Sequence, residues 1–184
     1  MQLKNILIFS LLITFIFTGC DKKENIDENV VATVKTQTTK TFKLANMDGT
    51  YITVSNNKED WKFEGLENKI VLLNFFASWC PPCKAEIPHL IKLYEKHKND
   101  FVVLGVSVDQ EISKEQMAEF MKQYHINYPV TFGTENFYLA NGVGGVSSIP
   151  AMFMFDKSGK MVRKYVGAVH EEILESDINK FNGN

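Results

Sequence analysis

Ile70-Val71-Leu72-Leu73-Asn74-Phe75-Phe76-Ala77-Ser78-Trp79-Cys80-Pro81-Pro82-Cys83 joins an apolar run of strand length to two closely spaced cysteines. Residues 70–77 have the near-continuous hydrophobicity of a strand buried on both faces. Beyond the cysteines, Ile87, Leu90, Ile91 and Tyr94 recur at i, i+3, i+4 and i+7, which predicts an amphipathic helix ending near His97. Pro88 lies inside it and is expected to kink it. Residues 101–107 form a second apolar run, so the stretch reads as a β-α-β unit with a right-handed crossover. The two thiols then sit one helical turn apart where strand hands over to helix, close enough to open and close a disulfide with little backbone movement.

Outward from this unit the patterns are shorter. Phe42 and Leu44 alternate, Asp48-Gly49 supplies a turn, and Tyr51, Ile52 and Val54 follow, which predicts a β-hairpin. Residues 56–69 read as a loop anchored by Trp61 and Phe63. Ser113 with Gln116 has the pattern of a capping box ahead of the apolar face Met117, Phe120, Met121 and Tyr124. Residues 128–132 suit a short strand, and Gly142-Val143-Gly144-Gly145 reads as a loop without the spacing of a dinucleotide site. A second hairpin is expected around Asp156-Lys157-Ser158-Gly159, and Leu174, Ile178 and Phe181 face a last helix inward. The order predicts an α/β sandwich of three layers, a central mixed sheet flanked by helices with an N-terminal β-hairpin.

The N-terminus belongs to a different category. Lys4 precedes an apolar stretch from Ile6 to Phe17, short of the roughly 20 residues a spanning helix needs, so it reads as an export signal rather than an anchor. Phe17-Thr18-Gly19-Cys20 resembles a bacterial lipobox, which would make Cys20 the lipidated first residue of the mature chain; an ordinary signal containing a cysteine is the alternative. The expected organisation is a lipoprotein signal peptide at 1–19, a polar tether at 20–40 and one folded domain at 41–184. Removing residues 1–19 takes away Lys4 and no acid, moving the net charge from −2 to −3. So weakly acidic a surface gives no reason to expect nucleic acid as a partner.

Of the three cysteines, assigning Cys20 to a lipid leaves only Cys80 and Cys83. In an exported chain a lone pair closing so short a loop suits a working redox couple better than a structural staple. Cys80 just before a helix and Cys83 in its first turn meet free N–H groups and the positive end of the helix dipole, which favour thiolate. Cys80 is therefore expected to be the exposed nucleophile and Cys83 the buried resolving thiol. A zinc site would need two further ligands, and His89, His97, His125 and His170 lack the spacing.

Trp79-Cys80-Pro81-Pro82-Cys83-Lys84-Ala85-Glu86-Ile87-Pro88, the preceding Leu72-Leu73-Asn74-Phe75-Phe76-Ala77 and the distant Ile149-Pro150 resemble the thioredoxin superfamily, nearest its exported TlpA-like and ResA-like branch. The likeness implies a thioredoxin-like fold over roughly residues 41–180 and an extracytoplasmic thiol-disulfide oxidoreductase. It implies that Pro150 is the family's cis-proline, leaving the backbone before it free to pair with a substrate segment, and that Trp79 and Ile149 help bind that segment. Asn74 stands where thioredoxin has a buried Asp, and an amide cannot accept the proton of the second thiol. In the ResA-like branch a Glu three residues after the second Cys is implicated, here Glu86; the alternative is a solvated helix carboxylate.

The resemblance further implies protein thiols and disulfides as partners, a membrane electron donor such as a thiol-disulfide transporter, a lipid-anchored monomer on the periplasmic side of a bacterial membrane, and no cofactor or metal. Reduction is the expected direction, in cytochrome c maturation or thiol homeostasis. Two other functions share the fold. A peroxiredoxin-type thiol peroxidase would place its nucleophile in a PxxxTxxC context, absent around Cys80, and a Sco-like copper chaperone would space its cysteines CxxxC and add a distal His.

Overall fold

The computed structural model describes residues 39–183. The signal peptide, the lipobox with Cys20 and nearly all of the expected tether lie outside the described residues. In chain order the elements are β1 (Lys40–Asn46), β2 (Tyr51–Asn56), β3 (Trp61–Phe63), β4 (Ile70–Phe76), α1 (Pro81–His97), β5 (Phe101–Ser107), α2 (Lys114–Gln123), β6 (Val130–Phe132), α3 (Glu135–Gly142), β7 (Ala151–Phe155), β8 (Met161–Val166) and α4 (Glu171–Asn182).

The strands form one mixed sheet in the order β3-β2-β1-β6-β5-β4-β7-β8. β4 is central: it pairs parallel with β5, Asn74 opposite Gly105, and antiparallel with β7, Asn74 opposite Met152. Every residue of β4 and of β5 is buried, as expected for strands covered on both faces. The pleat divides their side chains between two cores. Ile70, Leu72 and Phe76 join Ile87, Leu90 and Leu93 of α1, Met117 and Phe120 of α2, and Leu174 and Ile178 of α4. Val71, Leu73 and Phe75 join the hairpin residues Phe42, Leu44, Ile52 and Val54 and Leu139 of α3. The layers are therefore three helices, sheet, and one helix.

Two of the expected loops include residues of regular elements. Trp61 and Phe63 do anchor their segment, but as strand β3, paired antiparallel with β2. Trp61 N–H donates to Gly159 O at 2.9 Å and Asp60 bridges Lys160, so the sheet curls until its first strand meets the β7–β8 turn next to its last. Gly159 has φ +85°, and a Cβ there would stand 1.8 Å from Trp61 O. The sequence pattern does not predict α3, and Gly142 is its last residue rather than part of a loop. Buried Asn136 pins it, donating to Ser107 O at 2.8 Å and Thr131 O at 3.0 Å and accepting from Thr131 Oγ1 at 3.0 Å. The capping box at Ser113 is formed in both directions, and α1 runs through Pro88 as one element. Among the described residues no helix is long and apolar enough to cross a membrane.

Candidate active site

The site forms at the carboxyl end of β4, where open α/β sheets place their ligands. Cys80 is the N-cap of α1, in extended conformation, and Pro81 and Pro82 open the helix. Neither proline has an N–H to leave unpaired there, and Pro81 pushes Cys80 before it away from helical conformation, so Cys80 stays outside while Cys83 enters the first turn. The two sulfurs form a disulfide with Cα atoms 5.3 Å apart. Cys83 N–H points at Cys80 Sγ at 3.3 Å. In the reduced protein this donor and the helix dipole favour negative charge on Cys80.

The exposure that the sequence predicts for Cys80 is not found in this oxidised form: Cys80 is 3% exposed, and Cys83 is 2% exposed. Both cysteines belong to the buried cluster that includes Ile87 and Leu90 of α1. Trp79 is the exposed member of the motif, at 66%. It borders a groove of about 1010 Å³ whose other walls include Lys84, Asp109, Ile112, Phe120 and Tyr124.

Ile149 packs against the core that contains both cysteines, and the Ile149-Pro150 peptide is cis. Pro150 O accepts from Gly167 N–H at 2.9 Å, which fixes the start of β7 against the end of β8. Among the described residues, no main-chain group of Ser148 or Ile149 bonds to another main-chain group. An extended segment laid beside them would meet unpaired donors and acceptors.

Glu86 is buried, not a solvated helix carboxylate; only 4% of it is exposed. Lying one turn beyond Cys83 on α1, it accepts from Val169 N–H through Oε1 at 2.6 Å, while Oε2 is buried without a partner. Burial disfavours the ionised carboxyl more than the Val169 bond and His89 favour it, so its pKa rises to about 7. The same burial, with the Glu86 charge, pushes the Tyr128 hydroxyl upward. Asn74 is buried on β4 with Oδ1 unpartnered, on the face that α1 covers. A carboxyl that gains or loses its proton near neutral pH can serve a thiol; the amide cannot.

Asp109 is a buried neighbour of the site that the sequence reading misses. It is buried at the end of β5, where Oδ2 accepts from Ser78 N–H at 2.9 Å and from Ser107 Oγ at 2.8 Å, and Oδ1 accepts from Ser78 Oγ at 3.0 Å. It thereby ties down the turn that presents Trp79 and Cys80. Its position just past the carboxyl end of a buried parallel strand is the available signal. Among the described residues no group of three or more His, Cys, Asp or Glu side chains is arranged to hold a metal ion.

The chain is similar to known proteins. A family model described as Redoxin matches residues 32–181. A thiol-disulfide oxidoreductase ResA of Bacillus cereus is 33% identical over 119 residues, 65% of this chain and 67% of that protein. Another, from the Bacillus cereus strain ATCC 10987 / NRS 248, is 27% identical across 96% of this chain and 97% of its own length. Among solved structures, a thiol:disulfide interchange protein of the thioredoxin family from Chlorobium tepidum TLS superposes with a TM-score of 0.61 at 27% identity, covering 78% of this chain and 94% of that one.

Proposed function

Because this chain belongs to the Redoxin family and is a thiol-disulfide oxidoreductase of thioredoxin-like fold, we propose that it reduces protein disulfides outside the cytoplasm through Cys80 and Cys83. The observation that carries this reading is a cysteine pair at the N-cap of α1 with a buried, near-neutral carboxyl one turn further along the same helix.

In the proposed cycle the Cys80 thiolate attacks a substrate disulfide and one substrate thiolate leaves, to be protonated by solvent. Cys83 gives its proton to Glu86 and attacks Cys80 Sγ. The mixed disulfide breaks, the Cys80–Cys83 bond forms, and the second substrate sulfur leaves with the electron pair. Two electrons pass from the enzyme dithiol to the substrate. Trp79 covers the substrate segment, while the main chain before Pro150 holds it as an added strand, with Ile149 against the sulfurs. A membrane thiol-disulfide transporter would return the couple to the dithiol state. Lipidation at Cys20 would keep the domain, as a monomer, beside that donor on the periplasmic face. Cytochrome c maturation, or general thiol homeostasis, is the process that such a reductant serves.

Cys83→Ala in the native host tests the reading. It leaves Cys80 able to attack but unable to be released, so substrates should accumulate as mixed disulfides identifiable by mass spectrometry. No trapped protein under either reducing or oxidising growth would argue against protein substrates. The direction is tested separately by equilibrating the couple with glutathione. A potential near the oxidising end of the known CxxC range would sink the reductant role.

A further inference from the structure

The proton that Glu86 takes from Cys83 has to leave again. Oε1 is committed to Val169 N–H, and Oε2 has no protein partner. On the side away from Trp79, Glu86 lines a pocket of about 250 Å³ between α1 and the segment that enters α4. That volume has room for water, and the wall carries the polar side chains of His89, His170, Glu171 and Glu172 beside Ala85 and Val169. The pocket shares no lining residue with the groove beside Trp79 and includes neither cysteine, Ile149 nor Pro150.

His89 stands on the pocket wall three residues after Glu86, on the same face of α1. Its side chain is 52% exposed, and Nδ1 lies 3.0 Å from Glu171 Oε2 at the start of α4. That contact holds the ring across the two helices with Nδ1 toward the Glu171 carboxylate and leaves the other ring nitrogen for hydrogen bonding with water. Glu171 is held in turn by Lys92 Nζ at 2.6 Å. The remaining titratable groups around the carboxyl are His170 and Glu172 on the α4 side and Tyr128 on the core side. Tyr128 is sealed in the core and opens no way out.

We propose that this pocket is the proton exit of the active site, in which Glu86 exchanges its proton with solvent through water and His89, positioned by Glu171. The inference rests on the reading of Glu86 as the acceptor of the Cys83 proton. It separates the two traffics of the reaction: sulfur and electrons at the Trp79 side of α1, protons at the α4 side. On this account His89 and Glu171 are positioning and relay residues that touch neither substrate nor sulfur.

The test follows one turnover of the reduced full chain with a disulfide-bonded peptide, timing attack by Cys80 and resolution by Cys83 separately by acid quench and mass spectrometry. His89→Ala should leave attack unchanged and slow resolution about tenfold, less than loss of a direct general base because water can partly substitute. Added imidazole should restore the rate, and Glu171→Gln should weaken it in the same step. Resolution at the normal rate in His89→Ala, slowing that imidazole does not relieve, or slowing in His170→Gln instead, would each overturn the exit through His89. Glu86→Gln keeps the two readings apart. Normal resolution in that variant removes Glu86 itself from the mechanism, whereas slow resolution there beside normal resolution in His89→Ala removes only the route.

Discussion

On β4, Val71, Leu73 and Phe75 face one core and Ile70, Leu72, Asn74 and Phe76 face the other, and the two cores are filled on different terms. The α3 side is apolar and aromatic apart from Asn136 and Thr131, whose polar groups are hydrogen-bonded: Phe75 meets Phe153 edge to face at 5.6 Å, and Phe155 contacts Trp61 and Phe63 at 5.4 and 5.0 Å between ring centres. The α1 side holds the disulfide, Glu86, Asn74 and Tyr128, and among the described residues Glu86 Oε2 and Asn74 Oδ1 are buried there without partners. Burying such groups opposes folding. One face of the sheet supplies cohesion and the other spends part of it on a carboxyl whose titration is moved to where thiol chemistry operates.

Substitutions on the two faces should therefore fail differently. Phe155→Ala should cost about 3–5 kcal/mol of stability, measured by urea unfolding, while the folded protein turns over at its normal rate. Loss of activity per folded molecule would break the comparison. Gly159→Ala asks the same of the curled edge. It forces a side chain into positive φ and against Trp61 O, so a loss of about 1–3 kcal/mol is expected, again without change in disulfide exchange. An unchanged midpoint would mean that closing the sheet edge contributes little.

The smallest effect belongs to the chemical face. The Glu86 pKa is raised from 4.5 to about 7, so between those values the unfolded chain ionises while the native protein stays protonated. Native stability therefore falls as pH rises through that window and levels off above it. The loss is on the order of 1–2 kcal/mol, discounted for the solvent that reaches the pocket. Glu86→Gln should abolish the slope in the oxidised protein and be the more stable form above neutral pH. Parallel curves for the two proteins would mean that the carboxyl is not held protonated.

The chemical face is the more legible of the two in the sequence. The apolar run of β4, the helical spacing of α1, the Trp79 to Cys83 motif and Ile149-Pro150 are local patterns, and each stands where the sequence predicts it. What escapes depends on distant chain. β3 is three residues long, too short for alternation to register, and exists because β2 and Gly159 supply its partners. α3 has no side-chain cap at Thr134 and buries polar Asn136 beside Leu139 and Ala140, which hides its apolar face. Buried Glu86 finds its partner in Val169, 83 residues away, and Cys80, expected to be exposed, is buried in the disulfide form.

Whether the buried carboxyl serves the second thiol is read directly by the pH dependence of Cys83 resolution. Single-turnover rates for the wild type and Glu86→Gln should be compared across about pH 5 to 9. The wild type should gain speed through an inflection near 7 as Glu86 becomes able to accept the proton. The variant should lack that inflection and run about 100-fold slower on the plateau. The same inflection and the same plateau in both proteins would contradict the account.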